Sequence, residues 1–330
     1  MSDSHSRDGE IMLAENITGY YVMENNIIHA VENCSLKLRS GDIVGIVGES
    51  GCGKSTFGKL LLGYDKPPLK LISGKVLVDG LDIYSMNFKQ RARKVWGIKI
   101  SRIPQYSMNS LNPVLKIKTI IKDYVKSKFP RIPERKILEM ARNRLEELGL
   151  NTDVLEQYPF ELSGGMKQRV VIIISTLLNP KVVIADEPTT ALDVSTQRRL
   201  IEFMYNLVRK NIISSMIFIS HDIAVLNQLC NYFYIMYAGE MVEFGKREDI
   251  INNPLHPYTQ LLITTIPDIN PAIKRDRLKD IPGFPPDLSA PLKMCSFMTR
   301  CPYVEDRCKT KPPVIELKGG RFVRCHLFGK

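Results

Sequence analysis

The sequence predicts an α/β fold with a mainly parallel sheet and a small, separate Pro/Cys-rich C-terminal domain. Three observations carry this prediction. From about Leu13 to Asn253, short β-rich apolar runs alternate with helical patterns, the order expected of linked β and α units. The middle of that stretch is helical and lies between two strand-rich parts, which predicts a helical insertion. Beyond Asn253, eleven of the chain's twenty prolines fall between Pro254 and Pro313, leaving little room for regular helix or central strand.

Taken in order, "MSDSHSRDGE" has neither a basic leader nor a following apolar run, so it does not read as a signal peptide and residues 1–12 are expected to be disordered. "DIVGIVG" (Asp42 to Gly48), "KVLVDG" (Lys75 to Gly80), "VVIADE" (Val182 to Glu187) and "SMIFIS" (Ser215 to Ser220) read as strands. Between the second and third of these, "IPERKILEMARNRLEELGL" (Ile132 to Leu150) keeps apolar residues at helical spacing and closes on Gly149 as a C-cap. The divisions expected are a core over 13–253, its helical part over about 106–178, and an extension over 254–330.

With 330 residues, 44% hydrophobic and 25% charged, the chain has the composition of a soluble globular protein of about two domains. Its longest apolar run, Val170 to Leu178, is roughly half of what a bilayer crossing requires. The formal charge is +11, and from Ile273 to Lys330 thirteen Lys or Arg stand against six Asp or Glu. Such an excess suits a nucleotide, a nucleic acid, an anionic membrane surface or a merely solvated face, and does not choose among them.

The chemistry concentrates in a few stretches. "GESGCGKS" (Gly48 to Ser55) fits the pattern GxxxxGK[ST], with a strand before it and a helix after it. Its glycines let backbone N–H groups converge on phosphate, and the helix dipole adds positive potential. Lys54 is placed to reach the β and γ phosphates, and Ser55 to ligate Mg²⁺. The candidate cradle comprises Gly48, Glu49, Ser50, Gly51, Cys52, Gly53, Lys54, Ser55 and Thr56. Cys52 occupies a variable position and reads as a small tolerated residue; the alternative is a redox-sensitive thiol, since cysteines near helix N-termini are often acidic. "KVVIADEP" (Lys181 to Pro188) ends an apolar strand in two carboxylates, with Asp186 suited to hold Mg²⁺ and Glu187 to polarise water.

"LSGGMKQR" (Leu162 to Arg169) then places a serine and two glycines ahead of a helix, a second anion site built on the same physics. Here the chain resembles the ATP-binding cassette (ABC) ATPases, whose signature LSGGQ differs at Met166. The resemblance implies a P-loop NTPase core with a mainly parallel sheet, an antiparallel β part and a helical insertion subdomain. It further implies that Ser163, Gly164 and Gly165 of one subunit close over ATP held by another. By the same resemblance, Gln105 is the Q-loop glutamine that senses Mg²⁺ and the attacking water, Asp193 lies in the D-loop, and His221 is the switch histidine. Tyr21, 27 residues ahead of Gly48, is the candidate for stacking on adenine, with Tyr20 as its alternative.

"PQYSMNSLNPVLKI" and "NNPLHPYTQLLITTIP" (Asn252 to Pro267) narrow the resemblance to the ATPase subunits of oligopeptide and dipeptide importers. Its implications are ATP hydrolysis at the cytoplasmic face of the cell membrane, a second ATPase subunit, in the first place a distinct one with a second copy of this chain as the alternative, two transmembrane permeases and an extracellular solute-binding protein. An oligosaccharide importer of the same architecture is one alternative, and a soluble ABC ATPase acting on nucleic acid another; no nucleic acid is expected as a partner. Four cysteines, Cys295, Cys301, Cys308 and Cys325, occupy 31 residues of the tail. In a reducing compartment they ask for a metal rather than for disulfides. Their wide spacing lacks the paired knuckles of structural zinc and resembles the [4Fe-4S] tails of some importer ATPases, with zinc as the alternative.

Overall fold

The computed structural model describes residues 9–105, 110–190, 192–264 and 281–329. In chain order its strands and helices begin with β1 (Glu10–Met23), β2 (Asn26–Arg39), β3 (Ile43–Val47), α1 (Lys54–Leu61), β4 (Leu69–Val78), β5 (Leu81–Asp82) and α2 (Phe88–Lys94). They continue with β6 (Ile100–Ile103), α3 (Ile117–Lys128), α4 (Glu134–Glu147), α5 (Gly164–Thr176), β7 (Val182–Asp186), α6 (Val194–Arg209), β8 (Ser215–Ser220) and α7 (Ile223–Asn227). The last are β9 (Tyr232–Tyr237), β10 (Glu240–Lys246), α8 (Arg247–Asn252), α9 (Pro257–Thr264), β11 (Val314–Glu316) and β12 (Phe322–Arg324). The chain divides into two compact units, each assembled from separated stretches: Met1–Ile11, Arg39–Gly41 and Val78–Met216 in the first, and Met12–Leu38, Asp42–Leu77 and Ile217–Lys330 in the second.

In the second unit the strand order is β11-β12-β10-β9-β3-β8, and a separate sheet places β1 between β2 and β4. All five residues of β3 are buried, as are the residues of β8, which explains why their sequences read as unbroken apolar runs. β9 runs parallel to β3, with Val44 opposite Tyr232, and then turns back into β10. The turn residues Ala238 and Gly239 have φ of 47° and 82°, the left-handed pair that a tight hairpin needs to match strand twist. β12 pairs antiparallel with β10, with Glu243 opposite Val323, and β11 pairs with β12.

The extension also supplies charge. β10 carries Glu240 and Glu243, which are 2% and 0% exposed, and buried carboxylates are costly unless paired. Lys311 Nζ lies 3.1 Å from Glu240 and Arg321 Nη2 lies 2.6 Å from Glu243. The backbone N–H groups of Leu255 and His256 also donate to Glu243, at 3.0 and 2.9 Å. Regular structure therefore persists past Asn253 where little was expected. Pro257 opens α9, the one helical position where a missing N–H costs nothing, and β11 and β12 follow the last prolines, Pro312 and Pro313.

In the first unit β6 and β7 are parallel, with Arg102 opposite Ile184, and α5 packs on β6. α4 ends as its sequence predicts, with Gly149 at φ 73° and the Leu150 N–H returning to the Leu145 carbonyl at 2.8 Å. Arg144 ties α4 to the end of α5. Its guanidinium donates to the Thr176 carbonyl at 2.6 Å and to Asn179 Oδ1 at 2.5 Å, a second bond to a carbonyl that already accepts the Asn179 N–H at 3.0 Å past the helix end. The strand β1 begins at Glu10, and Met12 is fully buried, so disorder does not reach residue 12; its inward-facing apolar side chain recruits the segment into the sheet. Residues 1–8 lie outside the described residues.

His256 gives the extension a pH sensitivity. It is fully buried, its Nδ1 accepts the Tyr258 N–H at 3.0 Å, and burial lowers its pKa from the ordinary 6.5 to about 3. Because the folded pKa lies below the unfolded one, this contribution is complete above pH 6.5 and is lost as pH falls toward 3, when the unfolded chain takes up the proton. The loss amounts to at most about 1.4 kcal/mol per pH unit. A His256→Asn variant, which keeps an acceptor and removes the titration, should lose less stability between pH 6.5 and 5 than the wild type when both are followed by thermal unfolding; parallel losses would contradict this.

Candidate functional site

The phosphate-loop residues belong to the second unit, where the loop joins β3 to α1. Two of its glycines answer to sterics as well as to phosphate. A Cβ at Gly48 would meet the Met236 carbonyl oxygen at 2.1 Å, and one at Gly53, where φ is 104°, would meet the Ala30 carbonyl oxygen at 2.2 Å. No L side chain fits either place. Lys54 is buried and curls over the loop, donating from Nζ to the carbonyls of Gly48 and Glu49, both at 2.7 Å. Lys54 is the first residue of α1, and Ser55 and Thr56 follow it in the first turn.

Cys52 lies within this loop at 6% exposure. Burial raises its thiol pKa, and the opposing pull of Lys54 does not reverse the shift. Cys52 is thus a buried neutral thiol rather than an acidic one, and the redox alternative loses its chemical basis.

Of the two candidate aromatics, the tyrosines separate clearly. Tyr20 donates to Glu32 Oε1 at 2.5 Å, packs against the His29 ring at 4.1 Å, and has its pKa pushed up to about 12 by burial and by that carboxylate. Tyr21 instead hydrogen-bonds the Thr56 hydroxyl at 3.1 Å, so it stands beside the phosphate loop. His221 is exposed just past β8, the strand next to β3. The turn carrying it is fixed by Asp222, whose side chain accepts the N–H groups of Ala224 and Val225 at 2.9 and 3.3 Å to cap α7.

The first unit holds the carboxylates and the signature. Asp186 ends β7 at 2% exposure, and Glu187 follows with φ at 44°. Left-handed backbone at a residue other than glycine is strained and clusters at functional positions. The Thr190 hydroxyl donates to Glu187 Oε2 at 3.1 Å. Arg102, which sequence reasoning missed, places Nη2 2.6 Å from Asp186 Oδ2. The signal was there only in the pairing of β6 with β7, since Arg102 lies 84 residues from Asp186. Gln105 is half-buried just past β6; residues 106–109, which follow it, lie outside the described residues.

Ser163 caps α5, its Oγ accepting the Met166 N–H at 3.4 Å. Asp193 caps α6, accepting from Ser195 Oγ at 2.6 Å, Thr196 N at 2.9 Å and Thr196 Oγ1 at 2.6 Å. These bonds, the Ser195 hydroxyl first, hold its carboxyl well below the usual range. The two capped ends face a cavity of about 470 Å³ lined by Ser163, Gly164, Gly165, Asp193 and the arginines Arg169 and Arg199. Two guanidinium groups and a helix N-terminus suit it to an anion. Space at Gly165 is tight, since a Cβ there would come within 3.1 Å of the Thr196 side-chain methyl. Met166 is exposed at the rim, 36% accessible. It takes part in the cap through its backbone, so its side chain is not needed for that contact.

In the tail, Cys295 donates its N–H to the Cys308 carbonyl at 2.9 Å. Burial, and then the thiols of Cys308, Cys325 and Cys301, push the Cys295 pKa up to about 12. The four cysteines are therefore electrostatic neighbours, and none is in a disulfide. Among the described residues, however, no group of three or more His, Cys, Asp or Glu is arranged to hold a metal ion. No described helix is long and apolar enough to cross a membrane.

Comparison with known proteins matches residues 31–190 to the family described as ABC transporter, and residues 242–308 to the oligopeptide/dipeptide transporter C-terminal region. The dipeptide transport ATP-binding protein DppD of Caldanaerobacter subterraneus subsp. tengcongensis is 38% identical over 320 residues, covering 96% of this chain and 97% of that protein. The oligopeptide transport ATP-binding protein OppF of Salmonella typhimurium is 35% identical, covering 90% of this chain and 87% of that protein. A dimeric ATP-binding cassette solved in a post-hydrolysis state with ADP and Pi matches with a TM-score of 0.62 at 26% identity, over 72% of this chain and 99% of that one.

Proposed function

The chain belongs to the ABC transporter ATPases of the oligopeptide/dipeptide subfamily, and from that premise we propose that it energises uptake of peptides by binding and hydrolysing ATP. One observation carries the reading: a single chain presents both a phosphate loop at Gly48–Thr56 and a second anion cavity at Ser163. Two anion sites of this kind serve an arrangement in which each subunit completes its partner's nucleotide site. The dimeric cassette structure supports that reading, and the DppD and OppF relatives support peptides over oligosaccharides. The partners proposed are a second, distinct ATPase subunit, two permeases and an extracellular binding protein, with this chain at the cytoplasmic face.

In this reading Tyr21 stacks on adenine, and Lys54 with the loop N–H groups holds the phosphates. Ser55, Gln105 and Asp186 are the residues to hold Mg²⁺. The pairing of buried Asp186 with the Arg102 guanidinium fits that role, because the carboxylate already sits where a positive charge is accommodated. When bound, Mg²⁺ neutralises charge on the β and γ phosphate oxygens. Glu187 orients water for in-line attack on the γ-phosphoryl group, His221 contacts that group, and the partner's copy of the signature serine donates to it from the far side.

A [4Fe-4S] cluster held by Cys295, Cys301, Cys308 and Cys325 completes the proposal. What supports it is four mutually influencing thiols in a Pro-rich segment that needs a staple. Binding would deprotonate these thiols.

In the presence of its partner ATPase subunit, Glu187→Gln should lower ATP turnover at least about 100-fold while leaving ATP binding intact, and light scattering should then find the pair associated only with Mg-ATP. Unchanged turnover would refute the role given to Glu187. Anaerobically purified protein should show the broad visible absorption of an iron–sulfur protein, lost in Cys301→Ser; a colourless protein carrying stoichiometric zinc would refute the cluster.

A further inference from the structure

Glu49 places a carboxylate inside a loop whose task is to hold a polyanion, and such a charge opposes the ligand unless something answers it. The second unit answers it from the far end of the chain. Arg300, 251 residues away and adjacent to Cys301, meets Glu49 with a two-pronged contact: Nη1 to Oε2 at 2.7 Å and Nη2 to Oε1 at 2.9 Å. The remaining donors are committed as well. Nη1 donates to Tyr237 Oη at 3.2 Å, Nη2 to the Ile281 carbonyl at 3.1 Å and Nε to the Pro282 carbonyl at 2.7 Å. All five guanidinium N–H groups are thus used. Arg300 is 7% exposed, with the rings of Tyr237 and Phe297 at 5.7 and 6.0 Å.

The loop backbone is gripped at the same residue. Tyr258 Oη accepts the Glu49 N–H at 2.8 Å, and Tyr258 is itself fixed by its N–H bond to His256 Nδ1 and by ring contacts with Tyr237 and Phe297 at 4.7 and 5.5 Å. An arginine with no donor to spare cannot be a phosphate ligand. Its effect has to pass through Glu49, and its planar fork cannot be replaced by a lysine ammonium.

We propose that Arg300 and Tyr258 are positioning residues for ATP, by which the C-terminal extension neutralises Glu49, turns its carboxylate away from the phosphates and presets the phosphate loop. The inference rests on Gly48–Thr56 being the ATP site. It assigns the extension a role in nucleotide affinity, so that a lesion outside the ATPase motifs weakens ATP binding with little effect on the chemical step.

The test measures ATP affinity on the full-length chain, and KM and kcat on the assembled transporter. Arg300→Ala should weaken ATP binding and raise KM about tenfold with kcat changed less than about twofold, as expected when an uncompensated charge is left beside the ligand. Adding Glu49→Gln to Arg300→Ala should restore affinity to within about threefold of wild type, which a merely structural role for the pair would not do. Tyr258→Phe, which keeps the ring packing and so protects against a folding failure, should weaken ATP binding about threefold. Wild-type affinity in both Arg300→Ala and Tyr258→Phe, or a double variant no tighter than Arg300→Ala alone, would overturn the proposal. If the wild-type chain itself bound no ATP, the nucleotide site would fall and this inference with it.

Discussion

Backbone amides have to converge on the triphosphate alongside Lys54, and this constraint shapes the second unit. Amides converge only where the chain can turn without a Cβ, hence Gly48 against the Met236 carbonyl and Gly53 against that of Ala30. Those two carbonyls belong to β9 and β2, so the loop's path is set by strands on both sides of it. The glycines are as much a packing requirement of the sheet as a chemical requirement of the ligand.

The same economy recurs in the first unit. The signature serine caps α5, Asp193 caps α6, and the ends of the two helices meet over one cavity that also holds Arg169 and Arg199. A helix end leaves several N–H groups unpaired, and here the capping residues are those assigned to nucleotide. Glu187 shows the complementary device, a carboxylate presented from strained backbone directly after a rigid buried strand. In both units, rigid elements position the groups that the chemistry requires.

Much of this was legible in the sequence because it is local. β3, β7 and β8 fall within a residue or two of the apolar runs that announced them, and Gly149 closes α4 where its spacing placed it. The phosphate loop, the signature and the paired carboxylates are contiguous motifs whose spacing is itself the chemistry. What was not legible is non-local. Arg102 meets Asp186 only through the register of β6 on β7, and Arg300 meets Glu49 only after the chain has returned to its own beginning. The extension misled for a different reason: its prolines were counted without regard to position, yet Pro257 stands where a helix tolerates proline. Tyr20 differs from Tyr21 in its contacts with Glu32 and His29, and no pattern in the sequence marks those contacts.

Of the roles proposed, the central one is that Ser163 serves a nucleotide bound by another subunit. Ser163→Asp tests this directly, because aspartate preserves the helix cap while setting a negative charge against the incoming phosphate. ATP affinity of the separate chain should stay within about twofold of wild type, while hydrolysis by the assembled transporter should fall about 100-fold or more, the scale on which lost transition-state contacts register. Loss of ATP binding by the separate chain, or undiminished hydrolysis by the assembly, would contradict it.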